Sequence, residues 1–163
     1  MTGVTLAGRM ASYDGGGVTL AGGGVERSAC VGSGDAVWAS AGREVFRWGV
    51  KTRSGFEVAD ERLVAVGNRY WIVARIGPLR VREPVEVVAV VDEVDRKGFA
   101  YRTLEGHPIR GEEAFEVSRR EDGSVWLTVR SLTRPATGVR RVVYPLARVA
   151  QVFYRRRYLR ALR

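Results

Sequence analysis

Residues 98–115 read GFAYRTLEGHPIRGEEAF, a strand, a turn and a second strand. From Phe99 to Leu104 the side chains alternate, with Phe99, Tyr101 and Thr103 on one face and Ala100, Arg102 and Leu104 on the other. Gly106-His107-Pro108 interrupts the alternation and supplies the connecting loop. On the next strand, Glu112 to Ser118, the residues Glu113, Phe115 and Val117 share a face while Glu112 points the opposite way. The two adjacent glutamates therefore cannot act as one dyad, which argues against a glycosidase-type acid/base pair.

Outward from this segment the β pattern continues. Ser124 to Leu132 is a further strand, joined through Glu121-Asp122-Gly123, and Val85 to Val94 precedes. Arg62 to Val66 and Tyr70 to Arg75 flank Gly67-Asn68, a hairpin turn signal. Six strands with short connections predict an antiparallel meander. Val25 to Val31 reads as an earlier strand, after which Gly32-Ser33-Gly34-Asp35 supplies cap residues for a helix through about Trp48. Val37, Trp38, Ala41, Val45 and Trp48 give that helix one apolar face. Pro135 ends the last strand, and Pro145 suits the first turn of a final helix starting near Tyr144. Val142, Leu146, Val149, Ala150, Phe153 and Tyr154 share one face of it.

The order strand, helix, meander, helix predicts an α+β fold. A curved antiparallel sheet of six to seven strands packs on a long C-terminal helix, the helix-grip (START/Bet v 1-like) arrangement. By analogy of fold, such domains often enclose an apolar cavity. Residues 25–163 are expected to form this single domain. Residues 1–24 form a Gly-rich leader in which the hexapeptide at 3–8, GVTLAG, returns at 17–22. Each copy reads either as a short strand of a weak hairpin or as part of a partly ordered arm.

With 163 residues, 45% hydrophobic and 28% charged, the chain is globular rather than disordered. Its longest apolar stretch, Val85 to Val91, is interrupted by Glu86 and falls far short of the roughly 18 residues of a membrane span. There is no basic region followed by an apolar core at the start, so no secretory signal is expected. The lone Cys30 makes no internal disulfide and reads as a small buried hydrophobe. These features favour the cytoplasm. The glycines match neither the dinucleotide fingerprint nor a Walker loop, and no nucleophile elbow is present.

The net charge of +9 is local. Asp122 is the last acidic residue, and from Thr137 onward eight arginines supply +8 of the total. Genome composition exchanges lysine for arginine, but it does not remove every carboxylate. Arg141, Arg148 and Arg155 recur every seven residues as a ridge opposite the apolar face. Such a ridge suits nucleic acid or another anionic surface, bound in a salt-dependent way.

The segment quoted at the outset resembles the domain-of-unknown-function family nineteen-ninety (uncharacterised protein family number 548). That pattern runs Gly-Phe-Ala-Tyr-Gly-Thr-Leu-x-Gly-His-Pro-x-x-Gly-Glu-Glu-x-Phe. Gly98 to Tyr101, Thr103, Leu104, Gly106 to Pro108, Gly111 to Glu113 and Phe115 match it, whereas Arg102 stands where the pattern has glycine. The likeness continues through Asp122-Gly123, Val125-Trp126, Arg134 to Thr137 and Arg156 to Leu162. Upstream it includes Gly32 to Gly34, Phe46, Trp48 and Gly55. About the last 130 residues are covered. The resemblance implies no established activity.

The candidate ligand contacts are Tyr101, Thr103, His107, Glu112, Glu113, Arg134 and Arg157. His107 reads either as a turn residue bonded to its own loop or as a ligand contact or proton carrier titrating near neutrality. With one histidine and one cysteine, the chain offers no zinc site, and no cofactor is called for. At 100° per residue Arg157 falls within the apolar sector of the last helix. There it reaches solvent past the core's end, pairs with Glu113, or binds an anionic ligand. Tyr158, Leu159 and Leu162 shift to another sector, so the helix end is expected to meet the leader or another subunit, as in a homodimer. Trp38, Trp48, Trp71 and Trp126 fall at packing positions. The leading expectation is a non-enzymatic domain binding an apolar or amphipathic small molecule or lipid between sheet and helix. One alternative is binding to nucleic acid or an anionic surface through Arg141, Arg148 and Arg155. Another is an enzyme using His107 with a carboxylate.

Overall fold

A computed structural model describes residues 12–13, 18–19, 24–60, 62–76, 78–107, 109–134 and 152–163. The strands are β1 (Ser12–Tyr13), β2 (Val18–Thr19), β3 (Val25–Ser33), β4 (Phe56–Val58), β5 (Arg69–Ile76), β6 (Leu79–Asp92), β7 (Arg96–Thr103), β8 (Arg110–Arg119) and β9 (Ser124–Arg134). The helices are α1 (Asp35–Phe46) and α2 (Gly49–Thr52), between β3 and β4, and α3, helical over 152–158. Seven strands form one antiparallel sheet in the order β3-β9-β8-β7-β6-β5-β4. The chain meanders from β4 to β9, and β3 returns to pair with the last strand. Bulges between Val87 and Ala89 and between Cys30 and Gly32 interrupt the register and bend their strands. This is the helix-grip arrangement read from the sequence, a curved sheet facing α1, α2 and α3.

The concave face carries the core. Val85, Val87, Phe99, Phe115, Leu127 and Val129 from the sheet pack with Trp38, Val45 and Trp48 from the first helices and Tyr158 and Leu162 from the C-terminal end. Burial of each such side chain contributes about 1.5–3 kcal/mol. Trp48 joins α1 to α2 in the left-handed region, at φ 61° and ψ 19°, which an L residue rarely adopts. Its indole holds it there, packed on Tyr70, Phe99 and Tyr101 with ring centroids 5.0, 4.7 and 5.3 Å away. The reversal at Trp48 starts α2 and turns Lys51 into the interior, where it is buried.

On the opposite face Ala89, Val91, Ala100 and Ala114 form a second, smaller buried cluster. β1 and β2 lie against β6 and β7. Val18–Thr19, within the second copy of the repeat, pairs with Ser12–Tyr13 from the segment between the copies. The first copy lies outside the described residues.

Several elements depart from the expectation. Residues 62–66 form no strand; β4 is Phe56–Val58 instead, pairing with β5 at Ala74, Val73 and Ile72. The apolar residues of the 62–66 segment serve a loop: Val64 is buried, and its N–H donates to the Phe46 carbonyl at 3.1 Å. β6 begins at Leu79 and runs through Pro84, which sits opposite Trp71. Cys30 is exposed, because Val31 takes the inward position beside the bulge. Trp71 is 47% exposed, with the Arg82 guanidinium 4.7 Å from its ring centre. Phe153 is 59% exposed, while Tyr158 and Leu162 are core and Leu159 packs against it. The helix end is therefore phased on Tyr154 and Tyr158, one turn apart, and docks on its own sheet. The expected start near Tyr144 and the residues Val142 to Ala150 lie outside the described residues.

Candidate functional site

Strand register gathers polar side chains on one part of the concave face. Glu113 on β8 lies opposite Tyr101 on β7 and opposite Ser131 on β9. Glu83 on β6 lies opposite the fully buried Ile72 of β5, so it also points inward. α2 adds Lys51, and α3 adds Tyr158 and Arg155.

Lys51 is the centre of the arrangement. Its Nζ lies 2.7 Å from Glu113 Oε2 and donates to the Tyr158 hydroxyl at 2.7 Å. The Tyr101 hydroxyl donates to the same Glu113 oxygen. Aromatic rings enclose the ammonium: Phe56 at 4.6 Å, Tyr158 at 4.7 Å, Tyr101 at 5.4 Å and Phe115 at 5.7 Å from Nζ to ring centre. Such faces attract a cation through their quadrupoles. Burial holds both tyrosine hydroxyls well above their ordinary pKa, and the Glu113 carboxylate beside them adds to the effect. Both hydroxyls stay protonated and act as neutral hydrogen-bonding groups. On α3, the Arg155 Nε donates to Ser131 Oγ at 3.1 Å.

His107 and Glu83 form the second part. The Ile109 N–H donates to His107 Nδ1 at 3.1 Å, which leaves Nε2 to carry the proton of the neutral ring. Nε2 lies 3.7 Å from Glu83 Oε2. Burial holds the imidazole down at about 3, and the Lys51 charge adds to that effect. Burial pushes the Glu83 carboxyl up to about 7, opposed by Lys51 and reinforced by Glu113. The histidine is thus neutral at physiological pH, and the carboxyl titrates there.

The expected contacts fall into three groups. Tyr101 and Glu113 face the concave side and meet there, and His107 joins the cluster beside Glu83. Thr103 shares that face and accepts a hydrogen bond from the Gly111 N–H at 3.0 Å, tying β7 to β8 beside the site. Glu112 lies on the opposite face, in register with Arg102 and Leu132, and Arg134 is exposed at the end of β9. Arg157 is exposed; its guanidinium covers Gly55, where an added Cβ would meet it at 3.6 Å. The partner of Glu113 is Lys51; of the three readings of Arg157, its exposure fits the one in which it reaches solvent past the core's end. Of the arginine ridge, Arg155 turns to Ser131, while Arg141 and Arg148 lie outside the described residues.

Sequence reasoning passed over Lys51, Glu83, Ser131 and Tyr158. One signal was available for Lys51: it is one of two lysines in a chain that otherwise uses arginine, and an ammonium is a compact point charge with three rotatable donors, unlike the planar guanidinium. The central motif is explained by the same geometry. Gly111 and Gly98 allow close approach of neighbouring strands, since an added Cβ would lie 2.0 Å from the Leu132 carbonyl oxygen and 2.3 Å from that of Phe115. Arg102, in place of the glycine of the family pattern, points to the opposite face and pairs with Glu86 at 2.6 Å, so it does not disturb the concave side.

Among the described residues no group of His, Cys, Asp or Glu could hold a metal ion, and no helix is long and apolar enough to cross a membrane. Known proteins resemble the chain in sequence and in fold. A UPF0548 protein of Deinococcus radiodurans is 43% identical over 76 residues, which are 47% of this chain and 38% of that one. A UPF0548 protein of Arabidopsis thaliana is 33% identical over 100 residues, 57% of this chain and 48% of that one. The matched stretches thus span less than half of each relative's length. Among solved structures, a hypothetical protein of Helicobacter pylori superposes with a TM-score of 0.62 at 12% identity, covering 86% of this chain and 85% of that one. A norcoclaurine synthase point mutant of Thalictrum, in complex with a transition state analogue, superposes with a TM-score of 0.51 at 12% identity, covering 86% and 95%. The profile of the family described as Domain of unknown function (DUF1990) matches residues 24–161. That span includes both the central motif and the C-terminal segment that supplies Tyr158, and the chain belongs to this family.

Proposed function

We propose that this chain is a non-enzymatic small-molecule-binding protein that holds an apolar or amphipathic ligand between the sheet and the C-terminal helix. The polar contacts come from Tyr101, His107 and Glu113, joined by Lys51 and Glu83. The observation that carries the reading is the Lys51–Glu113 pair, with side chains only 5% and 12% exposed. Desolvating two charges costs several kcal/mol each, and apolar residues of similar volume often serve stability equally well or better. A buried pair ringed by aromatic side chains and tyrosine hydroxyls is thus poorly explained by stability alone. Aromatic side chains with a few convergent polar groups are also the lining that small-molecule sites use, and this supports the reading. The norcoclaurine synthase of the same fold carries a transition state analogue, so this architecture accommodates a small organic molecule.

Native mass spectrometry of the purified protein, with solvent extraction of what it carries, tests the reading. The expected result is a bound species of small-molecule mass that is released by extraction and weakened in Lys51→Met. Protein that runs only at its bare mass, and also fails to bind an anilinonaphthalene probe, overturns the proposal.

A further inference from the structure

Among the described residues, the charged groups of the concave site are matched at short range, with one exception. Lys51 has Glu113 and Tyr158. Glu113 has Lys51 and Tyr101. Arg155 is held by Ser131. Glu83 has only His107 Nε2, at 3.7 Å, too far for a hydrogen bond. Its strand neighbour Val85 belongs to the core and Val81 is half-buried against it, yet its own side chain keeps 16% exposure. It is an inward carboxyl that can be reached from outside.

A carboxylate in such surroundings is costly unless a cation or several donors meet it. The neutral imidazole supplies one N–H direction and no charge. Lys51 is close enough to act on Glu83 electrostatically, but its short contacts go to Glu113 and Tyr158. What Glu83 lacks among the described residues is a compact cationic donor, and a ligand can bring one. We infer that Glu83, backed by His107, is the recognition point for a protonated amine at the head of the amphipathic ligand. This rests on the small-molecule reading and names its ligand class. The groups acting on Glu83 are His107 from the β7–β8 loop, Lys51 from α2, Glu113 from β8, Tyr101 from β7 and Tyr158 from α3. Glu83 changes charge near neutrality, whereas His107 is held low and both tyrosines high. Amine binding is therefore expected to strengthen as the pH rises through about 7.

Calorimetric titration with octylamine, octanol and octanoate, at pH 6 and pH 8, tests the assignment. At pH 8 octylamine is expected to bind at least about ten-fold more tightly than octanol, as a charge-assisted contact requires, with octanoate weakest. The preference narrows at pH 6. In Glu83→Gln it disappears while octanol still binds, and thermal melting verifies that the variant folds. Glu83→Asp keeps a preference for the amine. Equal affinity for amine and alcohol, or an amine preference that survives Glu83→Gln, overturns the assignment and leaves the binding reading in place. Tightest binding of octanoate overturns it as well and points to Lys51 or Arg155 as the head-group contact. If none of the three binds, the small-molecule reading falls and this inference with it.

Discussion

The Lys51 ammonium lies 2.7 Å from Glu113 Oε2 and 2.7 Å from the Tyr158 hydroxyl, so a single charge joins α2, the centre of the sheet and α3. Each partner comes from a different element, and 107 residues separate Lys51 from Tyr158. The contact therefore forms only once the sheet has curved and the C-terminal segment has docked. It marks the boundary between the apolar core and the polar part of the concave face.

Removing one member of this pair leaves the other buried without its counter-charge. Lys51→Met is expected to lower unfolding stability by about 3–5 kcal/mol, the usual cost of breaking a buried pair. Lys51→Met combined with Glu113→Leu is expected to recover most of that loss. Urea unfolding of the two singles and the double gives the coupling. Strict additivity would show that the two charges do not interact. Tyr158→Phe removes only an acceptor from Lys51 and is expected to cost about 1–3 kcal/mol.

Glu83 and His107 give stability opposite dependences on pH. Between 4.5, the ordinary carboxyl value, and about 7, the folded protein holds a proton on Glu83 that the unfolded chain releases. Stability from this group falls as the pH rises through that window. His107 sits at about 3 rather than 6.5, so the unfolded chain binds the extra proton, and this contribution rises with pH between those values. The two slopes oppose each other from about pH 4.5 to 6.5, so the contributions of these two groups offset there. Glu83→Gln removes the falling limb. The variant is expected to gain about 3 kcal/mol on the parent between pH 4.5 and 8, at ~1.4 kcal/mol for each pH unit separating the folded and unfolded carboxyl. Unfolding midpoints across this range check it; a constant difference between variant and parent counts against the Glu83 environment described.

Gly111→Ala tests the close approach of β8 and β9. Its Cβ would stand 2.0 Å from the Leu132 carbonyl oxygen, a backbone atom that cannot rotate away. The expected loss is about 1–3 kcal/mol or more, read from thermal melting. The hydrogen bond from Gly111 N–H to Thr103 Oγ1 is strained by the same change.

Two tryptophans separate core from surface. Trp48→Ala empties the centre of the aromatic cluster and is expected to cost about 3–5 kcal/mol. Trp71→Ala loses only an exposed ring and the Arg82 contact, worth about 1 kcal/mol or less. Denaturant midpoints of the two variants rank them directly.

Much of the architecture was legible because its signals are local. Alternation from Phe99 to Leu104 and from Glu112 to Ser118 matches β7 and β8, and the Glu121-Asp122-Gly123 turn matches the β8–β9 connection. Opposed directions for Glu112 and Glu113 follow from the same two-residue period. The misplaced strand shows the limit of such signals. Arg62 to Val66 has a strand's composition, but the edge of the sheet is taken by Phe56–Val58, three residues too short to announce themselves. Phe153 was misread because the phase of the last helix depends on which residues dock, whereas Arg157 is exposed, as one of its readings had it. Tyr154 and Tyr158 do so, and that turns the neighbouring residues outward.

By itself the sequence determined the helix-grip order of elements, the family, the excess of arginine at the C-terminal end, and the faces on which Tyr101 and Glu113 lie along their own strands. Those properties depend on neighbours along the chain, whereas the register that sets Tyr101 opposite Glu113 came from the paired strands. Tertiary structure alone decided that Lys51 is interior, that Glu83 and His107 face each other, and that Tyr158 closes the cluster. The reason is physical. A charged residue on a four-residue helix reads as solvent-facing until the left-handed turn at Trp48 fixes its direction, and the environment that sets the Glu83 and His107 protons is assembled from segments far apart in the chain. The segment that looked richest in chemistry, residues 98–115, supplies half of the site; the other half is brought to it by the fold.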